Sequence, residues 1–195
     1  MSPVLQPTRI ALGDLVLRPF VATDEPAVAE ALRDPGVLRW TAGTAVIRTP
    51  ADLRAKRWLE SRIDGWSRGS AVFAIADAAS DYVLGTVSVR DVNRVPDQAV
   101  VAYWVSPAAR GRRLAARALD AASRWAFAKD GLGLHRLSLD HALVNEGSCR
   151  VATRAGFQLE GTMRDYFVEP TGQRHDSHLH ARLATDQPAG VPAGS

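Results

Sequence analysis

Lysine is nearly missing from this chain of 195 residues, which holds only Lys56 and Lys129, so arginine supplies almost all of its cationic charge. With 24 basic and 21 acidic side chains the formal net charge is only +3. That surplus argues against a nucleic-acid partner and asks at most for an acidic ligand. A single cysteine, Cys149, excludes an internal disulfide framework and fits a reducing compartment. No window approaches the length of apolar chain that spans a bilayer, and Met1 to Leu12 lacks a basic start followed by an apolar run. A cytoplasmic protein without a membrane partner is therefore expected. No internal repeat occurs. What is present is 46% hydrophobic and 23% charged residues, enough for one domain of ordinary size to bury a core unaided.

Periodicity and punctuation give an order of elements. Leu15 and Leu17 alternate with Val16 and Arg18, predicting a strand that ends near Phe20. Thr23-Asp24-Glu25-Pro26 opens a helix with Val28, Ala31 and Leu32 on its apolar stripe, and Asp34-Pro35-Gly36 closes it. Residues 37–50 show no period and are expected to connect. Ala51 to Ser67 reads as a second helix, followed by strands over Ala71 to Ala76, Tyr82 to Val92 and Gln98 to Val105, joined by short turn-rich segments. Arg110 to Lys129 is expected to be helical, with Ala115, Ala118, Leu119, Ala122, Trp125 and Ala126 on one stripe. A strand over His135 to His141, a short helix capped by Asn145 and closed by Gly156, and a final hairpin of Phe157 to Val168 with Arg174 to Leu183 complete the order. Residues 1–13 read as a lead-in, 14–184 as the domain, and 185–195 as a flexible Pro/Ala/Gly/Ser tail.

The strands beginning at Gln98 and His135 are separated by a helical crossover and so should be parallel, whereas the others can pair antiparallel. The fold class expected is α/β (α+β): one mixed, mostly antiparallel sheet flanked by helices. Its parallel pair receives the most informative stretch, Tyr103 to Ala116. There an apolar strand end runs through Ser106-Pro107 to Arg110-Gly111-Arg112-Arg113 at a helix start. Unpaired amides beside guanidinium groups are how proteins hold phosphate or pyrophosphate. From this loop alone, a helix start whose arginines face water is equally open.

Three stretches in this order carry a resemblance: Tyr-Trp-Val-Ser-Pro-Ala-Ala-Arg-Gly-Arg-Arg-Leu-Ala at 103–115, Asn-Glu-Gly-Ser-Cys-Arg-Val-Ala-Thr-Arg-Ala-Gly-Phe at 145–157, and Glu-Gly-Thr-Met-Arg-Asp-Tyr at 160–166. Over roughly residues 14–184 the chain resembles the GNAT superfamily of acyl-coenzyme A-dependent N-acyltransferases, in particular the RimJ/RimL-like group, which includes ribosomal-protein N-terminal acetyltransferases. The resemblance implies a splayed central strand pair that takes acetyl-CoA as co-substrate. It also implies transfer of the acetyl group to a primary amine by direct attack through a tetrahedral intermediate. By the same likeness, the backbone of Trp104 and Val105 should bind the pantetheine arm, with the Val105 amide polarising the thioester carbonyl. The amides of Arg110, Gly111, Arg112, Arg113, Leu114, Ala115 and Ala116 should take the pyrophosphate, Asn145 should contact the cofactor arm, and Ser148 should support the departing thiolate. Arg113 stands where the family usually has glycine. If the backbone there is left-handed, a non-glycine residue costs about 1–2 kcal/mol.

No single general base is evident. Glu160 shares a strand face with Arg164 and Tyr166, and either Glu160 or Asp176 could act through water. An ion pair of Glu160 with Arg164 is the competing reading. Tyr166, Arg164, Asp176 and His141 are the expected substrate contacts. His175, His178 and His180 alternate along the last strand, which accounts for them without a metal, and no metal site is expected. Cys149 lacks a paired base in sequence and reads as packing. The acceptor expected is a protein N-terminal amine. A small amine such as an antibiotic or metabolite, or a non-catalytic acyl-CoA-binding module, are the alternatives. Related enzymes are often dimers, so a homodimer is possible on that likeness.

Overall fold

In the computed structural model, which describes residues 4–40 and 43–186, eight strands form one sheet. They are β1 (Ile10–Leu12), β2 (Leu15–Pro19), β3 (Ala71–Asp77), β4 (Val83–Asn93), β5 (Gln98–Val105), β6 (Arg136–Ala142), β7 (Gln158–Val168) and β8 (Arg174–Leu183). The spatial order is β1-β2-β3-β4-β5-β6-β8-β7. All neighbours are antiparallel except β5 and β6, as the helical crossover between them requires. The expected mixed sheet with a central parallel pair is what the chain forms.

Each face of the sheet is closed by helices. On one face α5 (Leu114–Phe127) buries Leu114, Ala118, Leu119, Ala122 and Ala126 against Phe73, Ile75, Val87 and Leu137. The small alanines of α5 let its backbone lie close to the strands. On the other face α1 (Glu25–Ala31) and α4 (Ala51–Ile63) pack Val28, Trp58 and Leu59 onto Phe20, Val72, Ala74 and Trp104. Edge-on ring contacts fix both layers: Phe73 meets Trp66 and Trp125 on the first face, and Trp58 meets Phe20 on the second.

Four local expectations need correction. Residues 37–50 are not a plain connection, because α2 (Pro35–Trp40) and α3 (Gly43–Arg48) lie there. Asp34 Oδ1 accepts the Val37 amide at 2.8 Å, so Asp34-Pro35 begins a helix as well as ending one. The second helix stops at Ile63, and Trp66–Arg68 is a separate 3-10 turn. Within the lead-in, Ile10–Leu12 pairs with β2 as an edge strand. The long helix starts at Leu114 and not at Arg110, since Pro107–Ala109 forms a 3-10 turn and Arg110 is extended. Of the tail, residues 187–195 lie outside the described residues.

Candidate active site

The parallel pair of β5 and β6 is short. Gln98, Ala99 and Val100 face Arg136, Leu137 and Ser138, and beyond these the strands part. The remainder of β5, Val101 to Val105, stays paired to β4 on its other edge. Ser106 donates to the Leu84 carbonyl at 2.8 Å. Alternate amides along a strand point to opposite edges, so those of Tyr103 and Val105 point away from β4 toward the gap. A cleft of about 930 Å³ opens there, within the size range of ligand-binding sites. Among the described residues seven arginines line it (Arg39, Arg62, Arg90, Arg110, Arg113, Arg150 and Arg154) against one carboxylate, Asp140.

At one end of the cleft is the start of α5. Its N-cap residue, Arg113, lies in the left-handed region at φ 59° and ψ 18°, and no side chain caps the helix. Gly111 also has positive φ, 79°. Two left-handed residues within three positions turn the chain sharply, leaving the Leu114, Ala115 and Ala116 amides without partners on the preceding turn. Of the seven loop residues expected to hold pyrophosphate, Arg110, Gly111, Arg113, Leu114, Ala115 and Ala116 line the cleft. Arg112 does not, and its charge acts instead on Asp14 and Asp77. Arg110 is tied to Asp34, whereas among the described residues Arg113 has no ion-pair partner. An uncapped helix start beside a free guanidinium fits a diphosphate.

Across the cleft stands α6 (Glu146–Arg154), whose start is closed in the opposite manner. Asn145 Oδ1 accepts the Ser148 amide at 3.3 Å. With that amide engaged, the Ser148 hydroxyl is left to the cleft, where it lies 2.7 Å from the Tyr103 phenol. Burial pushes the Tyr103 phenol above its ordinary range, so it remains a protonated donor. Tyr103 was absent from the sequence-based candidates. Its place on the open edge of β5 becomes visible only once the register is known.

Asp140 was missed as well. Along β6, Leu137, Leu139 and His141 are buried, whereas Arg136, Ser138 and Asp140 occupy the other, half-buried face. Burial raises the Asp140 carboxyl above its ordinary value, and Arg90 partly offsets this. Arg90 also bears on Arg62, whose guanidinium lies 5.0 Å from the centre of the Trp58 ring. This wall therefore combines one basic carboxylate with an aromatic and cationic surround.

The candidates from the final hairpin are placed elsewhere. Glu160 is held by Arg136, with Arg136 Nη1 donating to Oε1 at 2.8 Å and Nη2 meeting Oε2, and that pairing keeps its carboxyl below the usual range. Glu160 is thus paired with Arg136, not with Arg164, and is not part of the cleft lining. Asp176 Oδ1 accepts the Asp165 amide at 2.9 Å and closes a bulge in β7. Arg164 and Tyr166 are exposed and likewise outside the lining. His141 borders the cleft, but its ring is buried, with Nε2 3.2 Å from His180 Nε2. His175 leaves the other histidines and pairs with Glu169, which also holds Arg39.

Residues 14–158 match the family described as Acetyltransferase (GNAT) domain. The chain is 29% identical over 132 residues to the Bacillus subtilis (strain 168) protein named "Putative ribosomal N-acetyltransferase YdaF", a match covering 66% of this chain and 70% of that one. Mycobacterium smegmatis RimJ in complex with CoA-disulfide superposes with a TM-score of 0.79 at 24% identity, covering 97% of this chain and 94% of that chain. Ribosomal-protein-S5-alanine acetyltransferase from Vibrio fischeri gives 0.76 at 20% identity over 92% of this chain and 98% of that one. At such identities the structural likeness speaks for the fold.

Proposed function

The chain belongs to the GNAT acetyltransferase family, and we propose that it acetylates a protein N-terminal α-amine, using Asp140 as the base. It is an N-acetyltransferase whose donor is acetyl-CoA. The observation that carries the acceptor reading is the wall opposite α5: among the described residues Asp140 is the one carboxylate lining the cleft, its carboxyl is raised by burial, and the ring of the neighbouring His141 is buried on the other face of β6. A lysine amine costs about 4.6 kcal/mol to deprotonate at pH 7, whereas an α-amine costs only about 1–1.4 kcal/mol. A single carboxylate suits the second. The name of YdaF, a ribosomal N-acetyltransferase, supports a protein as the acceptor.

Acetyl-CoA supplies an acyl thioester when bound. The amides of Leu114, Ala115 and Ala116, with the Arg113 guanidinium, would hold its pyrophosphate. The Val105 amide would donate to the carbonyl oxygen on which negative charge develops. Asp140 would take a proton from the acceptor's ammonium form, directly or through one water, leaving the neutral amine whose lone pair attacks the carbonyl. Ser148, backed by the Tyr103 phenol, would donate to the departing sulfur, a hydrogen bond to a charged group contributing about 1.5–3 kcal/mol.

The test is a panel of peptides with free N-termini, peptides with blocked N-termini and internal lysines, and small amines, each assayed for thiol release from acetyl-CoA. Free N-termini should be turned over and blocked lysine peptides should not. Turnover of lysine peptides or small amines alone would replace this acceptor, and no thiol release with any amine would favour a binding module.

A further inference from the structure

Behind α6, on the face of the sheet away from Asp140, three histidines and the only cysteine converge. The register of β6 and β8 sets His141 directly opposite His178, and His180 follows two residues later on the same face. The first turn of α6 then lowers Cys149 onto them. His141 Nε2 and His180 Nε2 are 3.2 Å apart, and Cys149 Sγ is 3.9 Å from His180 Nε2. One donor atom from each of His141, Cys149, His178 and His180 lies within 4.8 Å of all the others.

Ordinary packing satisfies only part of this cluster. His141 Nδ1 is 2.9 Å from the Ala142 carbonyl; a carbonyl can only accept, so Nδ1 carries the proton and Nε2 presents a lone pair to the cluster. The Nδ1 atoms of His178 and His180 are buried with no hydrogen-bond partner, although the His180 ring feels a weak pull from the Phe157 main chain.

We infer that His141, Cys149, His178 and His180 form a tetrahedral site for a zinc-class divalent ion. Zinc bonds of about 2.0–2.1 Å to nitrogen and about 2.3 Å to sulfur put tetrahedral neighbours roughly 3.3–3.6 Å apart. The separations of 3.2 and 3.9 Å lie close to this. Three imidazoles with a thiolate select a borderline-soft ion over magnesium or calcium, and the Ala142 carbonyl is the outer partner that fixes the His141 tautomer. On binding, the Cys149 S–H bond breaks as the metal–sulfur bond forms, its proton passes to the buffer, and the imidazoles stay neutral. Four protein ligands close the coordination shell, so the ion acts as a fastener. It pins α6 to β6 and β8 one residue past Ser148.

The chelator-stripped full chain is titrated with cobalt(II), and zinc is then added in competition. The expected result is one ion per chain, the intense visible bands of tetrahedral cobalt, a thiolate-to-cobalt charge-transfer band, and a higher Tm with either metal. Cys149→Ala and Cys149→Ser should lose the charge-transfer band and weaken binding by more than the roughly 10–100-fold that an outer partner is worth. Because Cys149 is the only cysteine, alkylation of the unsubstituted protein reads the same site, and saturating zinc should slow it at least about tenfold. No cobalt spectrum together with no Tm shift, alkylation unchanged by zinc, or wild-type affinity in Cys149→Ala would each overturn the site.

Discussion

The two walls of the cleft offer opposite kinds of chemistry. In the proposed function the wall made by β5 and the start of α5 would work through main-chain amides: Val105 on the open strand edge, and Leu114 to Ala116 on an uncapped helix start. The wall made by β6 and the start of α6 would work through side chains. There Asn145 closes the helix, and Asp140 and Ser148 line the cleft. Main-chain chemistry survives substitution as long as the path of the chain is kept, which is how an arginine can occupy the left-handed position at 113. Side-chain chemistry has no such tolerance. The start of α5 should therefore govern affinity, and the second wall, together with the Val105 amide, turnover.

Asp140→Asn should give the largest separation. Loss of a general base costs about 10²–10⁴-fold, so kcat/KM should fall by that order while acetyl-CoA affinity holds. Stability should move the other way. The folded pKa of Asp140 is raised, so its stabilising share is complete below the ordinary carboxylate range and is lost as pH rises through the raised value. At neutral pH the asparagine protein should melt at or above the wild type, measured by thermal denaturation beside steady-state kinetics. A wild-type rate would remove Asp140 from the mechanism. Ser148→Ala comes next, with kcat down about 10–100-fold, the equivalent of about 1.5–3 kcal/mol, and cofactor Kd nearly unchanged. If Kd rises instead and kcat does not fall, the hydroxyl belongs to binding and the division between walls fails.

Arg113→Gly probes the main-chain wall. It should release about 1–2 kcal/mol of left-handed backbone cost, about half of it offset by the entropy that glycine adds to the unfolded chain, about 0.4–1 kcal/mol. Tm should therefore rise by no more than about 4 °C. Acetyl-CoA binding, followed by calorimetry, should weaken only about 2–5-fold, since one partly exposed charge contributes about 0.5–1 kcal/mol, and the difference should shrink at high salt. Tighter binding would mean that the arginine obstructs the slot.

The sequence made the main-chain wall the more legible of the two. Strand end, Ser106-Pro107 and glycine-arginine loop are contiguous, so Tyr103 to Ala116 could be read as one unit without knowing any tertiary contact. The second wall is assembled across the sheet. Asp140 looks like any polar residue on an alternating strand, and Tyr103 looks like strand packing, until the β5 and β6 register ends at Val100 and Ser138. Residues 35–48 were unreadable for another reason: α2 and α3 are six residues each, too short to display a helical period. Along β8 alone, alternation explains the histidines, but His141 and Cys149 come from other elements.

Glu160→Gln sharpens the same lesson with the smallest expected effect. In sequence, Glu160 was the foremost carboxylate of the third diagnostic stretch and lay within reach of Arg164 and Tyr166 on one strand face. In the fold, Arg136 engages both of its oxygens at the end of β6 where the parallel pair is still closed. The carboxyl is held below its usual range, as a base with a committed partner must be. It lies on neither wall. Substitution should leave kcat/KM at the wild-type value and cost at most about 1 kcal/mol of stability, the ordinary worth of a surface ion pair. A loss of rate as large as that of Asp140→Asn would show that β7 reaches the reacting atoms, and the base would have to be sought on the final hairpin.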